Sequence, residues 1–315
     1  MIYSVVMGVR SKIKISRDIG RVVGEGPGPL FLVVAGLHGN EPSGISAAER
    51  VCQRLKELRA SFSGEIRAVA GNLSALSQGV RCLARDLNRS WTSEETTALR
   101  EKAEAERSAE DVEQLALLNV LESALLEKDR RVVLLDLHST SAHGAPFLFA
   151  EDSGAGRILA DAVPVPKVFA FEKYIRDTFI DYARPLGIMS FGFEAGQHDA
   201  PESVDHHESF LWLALEALGA LKENALQERE RHVAALHRAC VGLPRAIRVM
   251  HRHPVKKGDG FKMKPGLRHF QNVGKGDILA EDNNGEVRAP QDAVLLMPLY
   301  QSCGEDGFFL GEIAA

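Results

Sequence analysis

Three polar clusters stand out in the sequence because each follows an apolar run. His38-Gly39-Asn40-Glu41 follows residues 30–36, Asp136-Leu137-His138-Ser139-Thr140 continues residues 132–135, and Glu194-Ala195-Gly196-Gln197 follows residues 188–193. Ligands of open α/β sheets bind outside the carboxyl ends of the strands, so polar side chains at three strand ends point to a shared site. His38 and Glu41 are three apart at the start of a helical pattern, where such a spacing puts two side chains on one face. With the distant His138 as third ligand, they would leave a tetrahedral zinc with its fourth position open, the arrangement of a catalytic zinc. An H-x-x-E pair alone recurs by chance in a chain with 11 histidines; the apolar strand leading to each histidine gives it meaning. His/His/carboxylate sites also accept other divalent ions.

Further candidates surround this set. Arg81, Asp86, Asn88 and Arg89 concentrate fixed donors in a loop too polar to be core, and Arg offers a planar fork matched to carboxylates; the alternative is an ordinary solvated loop. Glu194, between an apolar strand and Gly196, would be partly buried and so raised toward the range of a general base, or would serve as a helix cap or structural ion pair. Asp136 and His138 are two apart on a strand and share a face, which makes Asp136 a partner of the histidine or a buried hydrogen-bond acceptor.

The elements that must position these residues follow from periodicity. Residues 30–36, 64–70, 132–137, 168–171 and 188–193 read as strands, and residues 45–58 and 203–240 as helical. Residues 71–93 read as loop. In the charged stretch 94–128 the first half reads as a solvated helix face and the second as a packed one. Strands alternating with helices predict an α/β domain with a mainly parallel sheet. Beyond Gly242, short β-like runs at 246–250, 256–262, 277–280, 286–289 and 294–296 predict a small all-β module. The expected division is 1–241 and 242–315.

Composition narrows the classes. Thirty-eight Lys+Arg against 43 Asp+Glu give a net charge of −5 in 315 residues, no field for nucleic acid or an anionic membrane. The N-terminus lacks the apolar run of ~7–15 residues of a secretory signal, and no stretch reaches the ~20 that span a bilayer, so the cytoplasm is the expected location. Cys52, Cys82, Cys240 and Cys303 are widely spaced and read as buried thiols of a reducing compartment. His143, His198, His206 and His207 read as solvated or helix-start residues, although they could line a cleft. His251-Arg252-His253 and Lys256-Lys257 read as a solvated turn face.

The motifs HGNE, DLNR and DLHST and the E-x-G after a late strand, in this order, resemble the succinylglutamate desuccinylase/aspartoacylase family, relatives of the zinc carboxypeptidases. The likeness spans residues 38–197 and extends to a β-rich tail. It implies a zinc-carboxypeptidase-like mixed sheet flanked by helices, with a small C-terminal all-β domain. It implies one zinc per chain on His38, Glu41 and His138, and Glu194 as the general base. Arg81 would polarise the scissile carbonyl, Asn88 and Arg89 would hold a substrate carboxylate, Asp86 would orient His38, and Arg184 would be a second carboxylate-binding arginine. Two departures bear on the substrate: Gly196 is followed by Gln197-His198-Asp199 where the family has Gly-Pro, and Phe308 and Phe309 stand where aspartoacylases present a tyrosine hydroxyl.

The resulting expectation is zinc-dependent hydrolysis of an N-acyl amino acid or similar small carboxylate-bearing amide, with N-acetylaspartate and N-succinylglutamate as poor substrates. The alternatives are a zinc carboxypeptidase for short or modified peptides and a non-catalytic zinc-dependent small-molecule binding protein. The expected partner is a small molecule, neither nucleic acid nor membrane, and a homo-oligomer is among the assemblies the sequence allows.

Overall fold

The computed structural model describes residues 16–314 except 128–129, 150–153 and 223; the stretch that bears on a secretory signal lies outside the described residues. The first half runs β1 (Asp18–Val23), β2 (Gly26–Ala35), α1 (Ser43–Glu57), β3 (Ser63–Ala70), α2 (Leu73–Leu76), α3 (Ser93–Glu101), α4 (Ala109–Leu125) and β4 (Val132–Thr140). Then follow β5 (Phe147–Phe149), α5 (Gly154–Ala162), β6 (Lys167–Phe169), α6 (Phe179–Ala183), β7 (Met189–Gln197), α7 (Glu202–Ala217) and α8 (Arg229–Ala239). The tail holds β8 (Ala246–Pro254), β9 (Lys262–Met263), β10 (Asn272–Val273), β11 (Ile278–Asp282), β12 (Gly285–Arg288), β13 (Ala293–Leu296) and β14 (Asp306–Ile313).

The centre of the molecule is a mixed sheet in the order β1-β3-β2-β4-β7-β5-β6-β8-β14-β13-β10. β3, β2, β4 and β7 are parallel neighbours. They are built from near-continuous apolar runs because both faces are covered. Phe31, Val33 and Ala35 face α1 and α7. Leu30, Leu32 and Val34 face α4 and α6. The period of two therefore assigns each residue of β2 to one of two cores. β6 pairs parallel with β8, and β14, β13 and β10 extend the same sheet antiparallel; β9, β11 and β12 form a separate antiparallel sheet.

The mixed sheet flanked by helices agrees with the expected fold class, and the differences lie in the polar segments. The charged stretch 94–128 is two helices, each opened by a capping box, Thr92 with Glu95 and Ser108 with Asp111. The first half is largely exposed, as expected, but the acidic start of α4 is not solvated: Glu110 and Glu113 are buried. Residues 203–240 are also two helices. Residues 256–262 are mostly a turn, with Gly258 and Gly260 in the left-handed region, where a glycine incurs no steric cost. β14, which the short-run pattern passes over, is a central strand of the tail.

Candidate active site

The parallel register sets the site. His38 lies just beyond the end of β2, and Glu41 in the turn that leads into α1. Gly39 permits this turn: a Cβ there would sit 2.1 Å from the Ala75 carbonyl carbon, well inside contact distance. His138 and Asp136 project from the same face of β4, and strand pairing places Glu194 of β7 opposite His138.

The first three side chains converge. His38 Nδ1 is 2.8 Å from Glu41 Oε1, and His138 Nδ1 is 3.1 Å from Glu41 Oε2. All three residues are buried, and their ligand atoms lie within 4.8 Å of one another, a group that could hold a metal ion. The remaining ring nitrogens are backed by carboxylates. His38 Nε2 is 3.1 Å from Asp86 Oδ1. Asp136 Oδ2 lies 2.9 Å from His138 Nε2, as an ionic contact rather than an aligned hydrogen bond. Carboxylates in this position fix ring orientation and raise ligand basicity. Burial opposes ionisation of Glu41, but the two imidazoles outweigh it and hold the carboxyl well below the ordinary range. Burial likewise opposes a charged His138, and Asp136 and Glu41 outweigh it, raising its pKa. Two convergent imidazole nitrogens and an ionised carboxylate form a donor set that fits a divalent cation.

Glu194 differs from its neighbours. Its carboxyl is buried, and Oε2 has no hydrogen-bond partner. Burial pushes its pKa up to about 8 against the pull of His138 and Arg81. The Arg81 guanidinium donates to Asp86 Oδ2 at 2.7 and 3.0 Å and lies 3.7 Å from Glu41. Asp86 thus joins Arg81 to His38, and although burial opposes it, the contacts with these two groups hold the Asp86 carboxyl well below the ordinary range.

These residues line one cavity of about 1100 Å³, counting the part open to solvent, together with Asn88, Arg89 and Arg184. Asn88 Oδ1 accepts from the Phe179 backbone N–H at 2.8 Å, and its amide nitrogen is 3.5 Å from His138 Nε2. Arg89 donates to Asp306 Oδ2 and to the Asn88 carbonyl, both at 2.8 Å, so an internal carboxylate already holds this arginine. Asp306 opens β14 and also accepts from Arg252 at 2.5 Å. Arg184 lies 3.7 Å from Asp181. Beyond the polar groups the wall is apolar, with Phe149, Phe171, Ile175, Ile180 and Phe309. Gly192 belongs to this wall, since a Cβ would meet Phe149 at 2.9 Å and Ile180 at 3.1 Å. Phe308 faces the other way, stacked on His253 at 4.9 Å, because neighbouring residues of a strand point to opposite faces. No tyrosine among the described residues lines the cavity, and the Tyr300 hydroxyl donates to Lys264 O.

Several contributors have no signature in the local sequence. Glu110 is fully buried and takes the backbone N–H of Leu83 at 2.7 Å and of Ala84 at 3.0 Å. Gln114 donates to Ser90 O and accepts from Arg85 at 2.6 Å. The start of α4 therefore clamps the loop that carries Arg81, Asp86 and Asn88. The S-A-E-D capping motif at Ser108 marks the helix start but not its target. The Ser139 backbone N–H donates to Glu41 at 3.0 Å, and Asn40 donates to Gln301 at 2.7 Å across the cavity rim.

Some expectations need correction. His198 is not a solvated bystander: it lines the cavity, 2.9 Å from Ser139 Oγ. His207 does lie in the opening turns of α7 but is buried rather than solvated, and burial pushes its pKa down to about 3. His251, Arg252 and His253 belong to β8, paired with β14, rather than to a turn face. Of the four cysteines expected to be buried, Cys82 and Cys240 are half-buried and Cys303 is exposed. Cys82 and Cys303, 221 positions apart, meet at 3.5 Å, because two loops converge at the cavity rim. Among the described residues no helix is long and apolar enough to cross a membrane.

Fold and site together define an α/β protein with a buried His/Glu/His group that could hold a metal ion at the carboxyl ends of parallel strands. The chain belongs to the succinylglutamate desuccinylase/aspartoacylase family: residues 27–218 match the model of the Succinylglutamate desuccinylase/Aspartoacylase catalytic domain. It is 27% identical over 197 residues to an N-acyl-aromatic-L-amino acid amidohydrolase (carboxylate-forming) of Xenopus tropicalis, covering 62% of this chain and 57% of that protein. A protein of the same description from Xenopus laevis is 25% identical over 289 residues, covering 82% and 87% respectively. The crystal structure of murine aminoacylase 3 shares the fold with a TM-score of 0.61 and 19% identity, over 92% of this chain and 96% of that one.

Proposed function

We propose that the protein is a zinc-dependent amidohydrolase that cleaves the amide bond of N-acyl amino acids, with preference for apolar or aromatic side chains. The observation that carries this reading is Glu194: a buried carboxyl with an unpartnered oxygen, beside the metal-ligand group and open to a cavity walled by aromatic rings. His38, Glu41 and His138 would hold the zinc, which when bound makes water a nucleophile at neutral pH and polarises a carbonyl. Glu194 would take a proton from the attacking water and deliver it to the leaving amine nitrogen, the two duties of a general acid–base group. Arg81, fixed by Asp86, presents a rigid cation where negative charge grows on the carbonyl oxygen.

Substrate choice follows from the rest of the wall. Arg184 and Asn88, which both line the cavity, would receive the α-carboxylate. Arg89 is already engaged by Asp306, a carboxylate it shares with Arg252, and so is less available to a second substrate carboxylate. The rings of Phe149, Phe171 and Phe309 suit an apolar group, and the two Xenopus relatives are described as acting on N-acyl-aromatic amino acids. The test is a hydrolysis panel of zinc-loaded protein with N-acetylphenylalanine, N-acetyltyrosine, N-acetylaspartate, N-succinylglutamate and dipeptides. N-acetylphenylalanine is expected to exceed N-acetylaspartate in kcat/KM by at least ~10-fold, since burying a phenyl ring is worth roughly 1.5–3 kcal/mol. Preferential cleavage of dipeptides, or N-acetylaspartate as the best substrate, would overturn the reading.

A further inference from the structure

The cysteine pair at the cavity rim plays no part in the hydrolytic chemistry described above. Cys82 follows Arg81 directly, in the loop clamped by Glu110. Cys303 lies in the segment joining β13 to β14, between Gln301 and Gly304, both of which line the cavity. The sulfurs are 3.5 Å apart, against roughly 2.05 Å in a disulfide, so closure requires an approach of about 1.5 Å. Neither residue lies within a helix or a strand of the sheet, and Cys303 is exposed to solvent.

We propose that Cys82 and Cys303 are a reversible redox site, a dithiol that closes to a disulfide across the cavity rim in the presence of a glutathione-type disulfide. The exposed Cys303 reacts first. Its thiol gives up a proton and the sulfur attacks one sulfur of the small disulfide, forming a mixed disulfide and releasing one small thiolate, which takes up a proton. Cys82, deprotonated in turn, attacks the Cys303 sulfur and expels the second small thiol. Two protein thiols are oxidised, one small disulfide is reduced, and the protons are conserved. The order has a physical basis: burial, then the neighbouring Cys303 thiol, pushes the Cys82 thiol up to about 12, and capping Cys303 removes the second of these causes. The new bond ties the segment 297–305 to the Arg81 loop. Cys52 and Cys240, pushed up to about 12 by burial, serve as internal controls.

The full chain is equilibrated with oxidised glutathione, the remaining thiols are alkylated, and non-reduced peptides are mapped by mass spectrometry. A Cys82–Cys303 cross-linked peptide, reversed by dithiothreitol, is the expected result. Amide exchange across 297–305 should slow by at least ~10-fold in the oxidised protein, since local opening governs exchange in loops. Cys303→Ser should show neither effect. Cys82→Ser should stop at a glutathione adduct on Cys303, which keeps the test valid if the first variant does not fold. A persistent adduct on the parent protein, a cross-link through Cys52 or Cys240, or unchanged exchange in the cross-linked protein would overturn the proposal. None of these readouts depends on the hydrolytic activity.

Discussion

Replacing Glu110 by alanine removes its share of the clamp on the arginine loop, leaving the Gln114 contacts in place and the cavity untouched. The carboxylate accepts two backbone N–H groups, from Leu83 and Ala84, and contacts the Asn72 amide at 3.3 Å. These donors outweigh burial and hold the Glu110 carboxyl below its ordinary range. Hydrogen bonds to a charged acceptor are worth roughly 1.5–3 kcal/mol each. Leu83 and Ala84 are exposed residues, so water replaces part of what is lost and the lower figure applies, about 3 kcal/mol for the pair. At 1.4 kcal/mol per tenfold, local opening of residues 81–86 becomes more frequent by up to about 150-fold. Arg81 and Asp86 move with that loop, so kcat/KM on the best substrate of the panel should fall between about 10- and 100-fold while metal content is retained. Hydrogen exchange at Leu83 and Ala84 should accelerate in parallel, and Glu110→Gln, which keeps one acceptor oxygen, should fall between variant and parent. Glu113→Ala is the control from the same helix, since Glu113 binds Ser74 and Arg17 rather than the loop; it should lower stability and spare kcat/KM. Glu110→Ala with kcat/KM within twofold of the parent would refute the reasoning.

Other outcomes follow from the same geometry. Elemental analysis should find one zinc per chain in the parent protein and a large loss in His138→Ala; equal content in both would dismiss the ligand set. Glu194→Gln should keep metal and fold and lower turnover by ~10²–10⁴-fold, measured with zinc-replete protein. Asp306→Asn should release Arg89 and raise the preference for N-acetylaspartate over N-acetylphenylalanine by about 10-fold, read as a ratio of kcat/KM values. Burial alone would raise the Glu65 carboxyl, but Arg67, Arg21 and Arg130 outweigh it and hold it down to about 2. A folded pKa below the unfolded value of roughly 4.3 means stability present above that pH and lost as pH falls toward 2. Thermal melts of Glu65→Gln should therefore lie below the parent at pH 7 and converge with it between about pH 4 and 2.

The sequence by itself determined the parallel core and the residues at its strand ends. A strand buried on both faces must be a continuous apolar run, so 30–36, 132–137 and 188–193 were legible, and a polar residue ending such a run marks a crevice whatever the rest of the chain does. His38, Glu41, His138 and Glu194 were found this way because their signal is local. What only the tertiary structure decided depends on pairs distant in the chain. Glu110 reads as one acid among many until α4 is docked against residues 83–84. Arg89 reads as an open cation until β14 brings Asp306 beside it, 217 positions away. Phe308 and Phe309 are equivalent in the sequence, and the register of β14 on β8 points one into the cavity and the other out of it. Cys82 and Cys303 likewise read as isolated thiols, since contact across 221 positions depends on how two loops close over a common rim, which no local periodicity encodes.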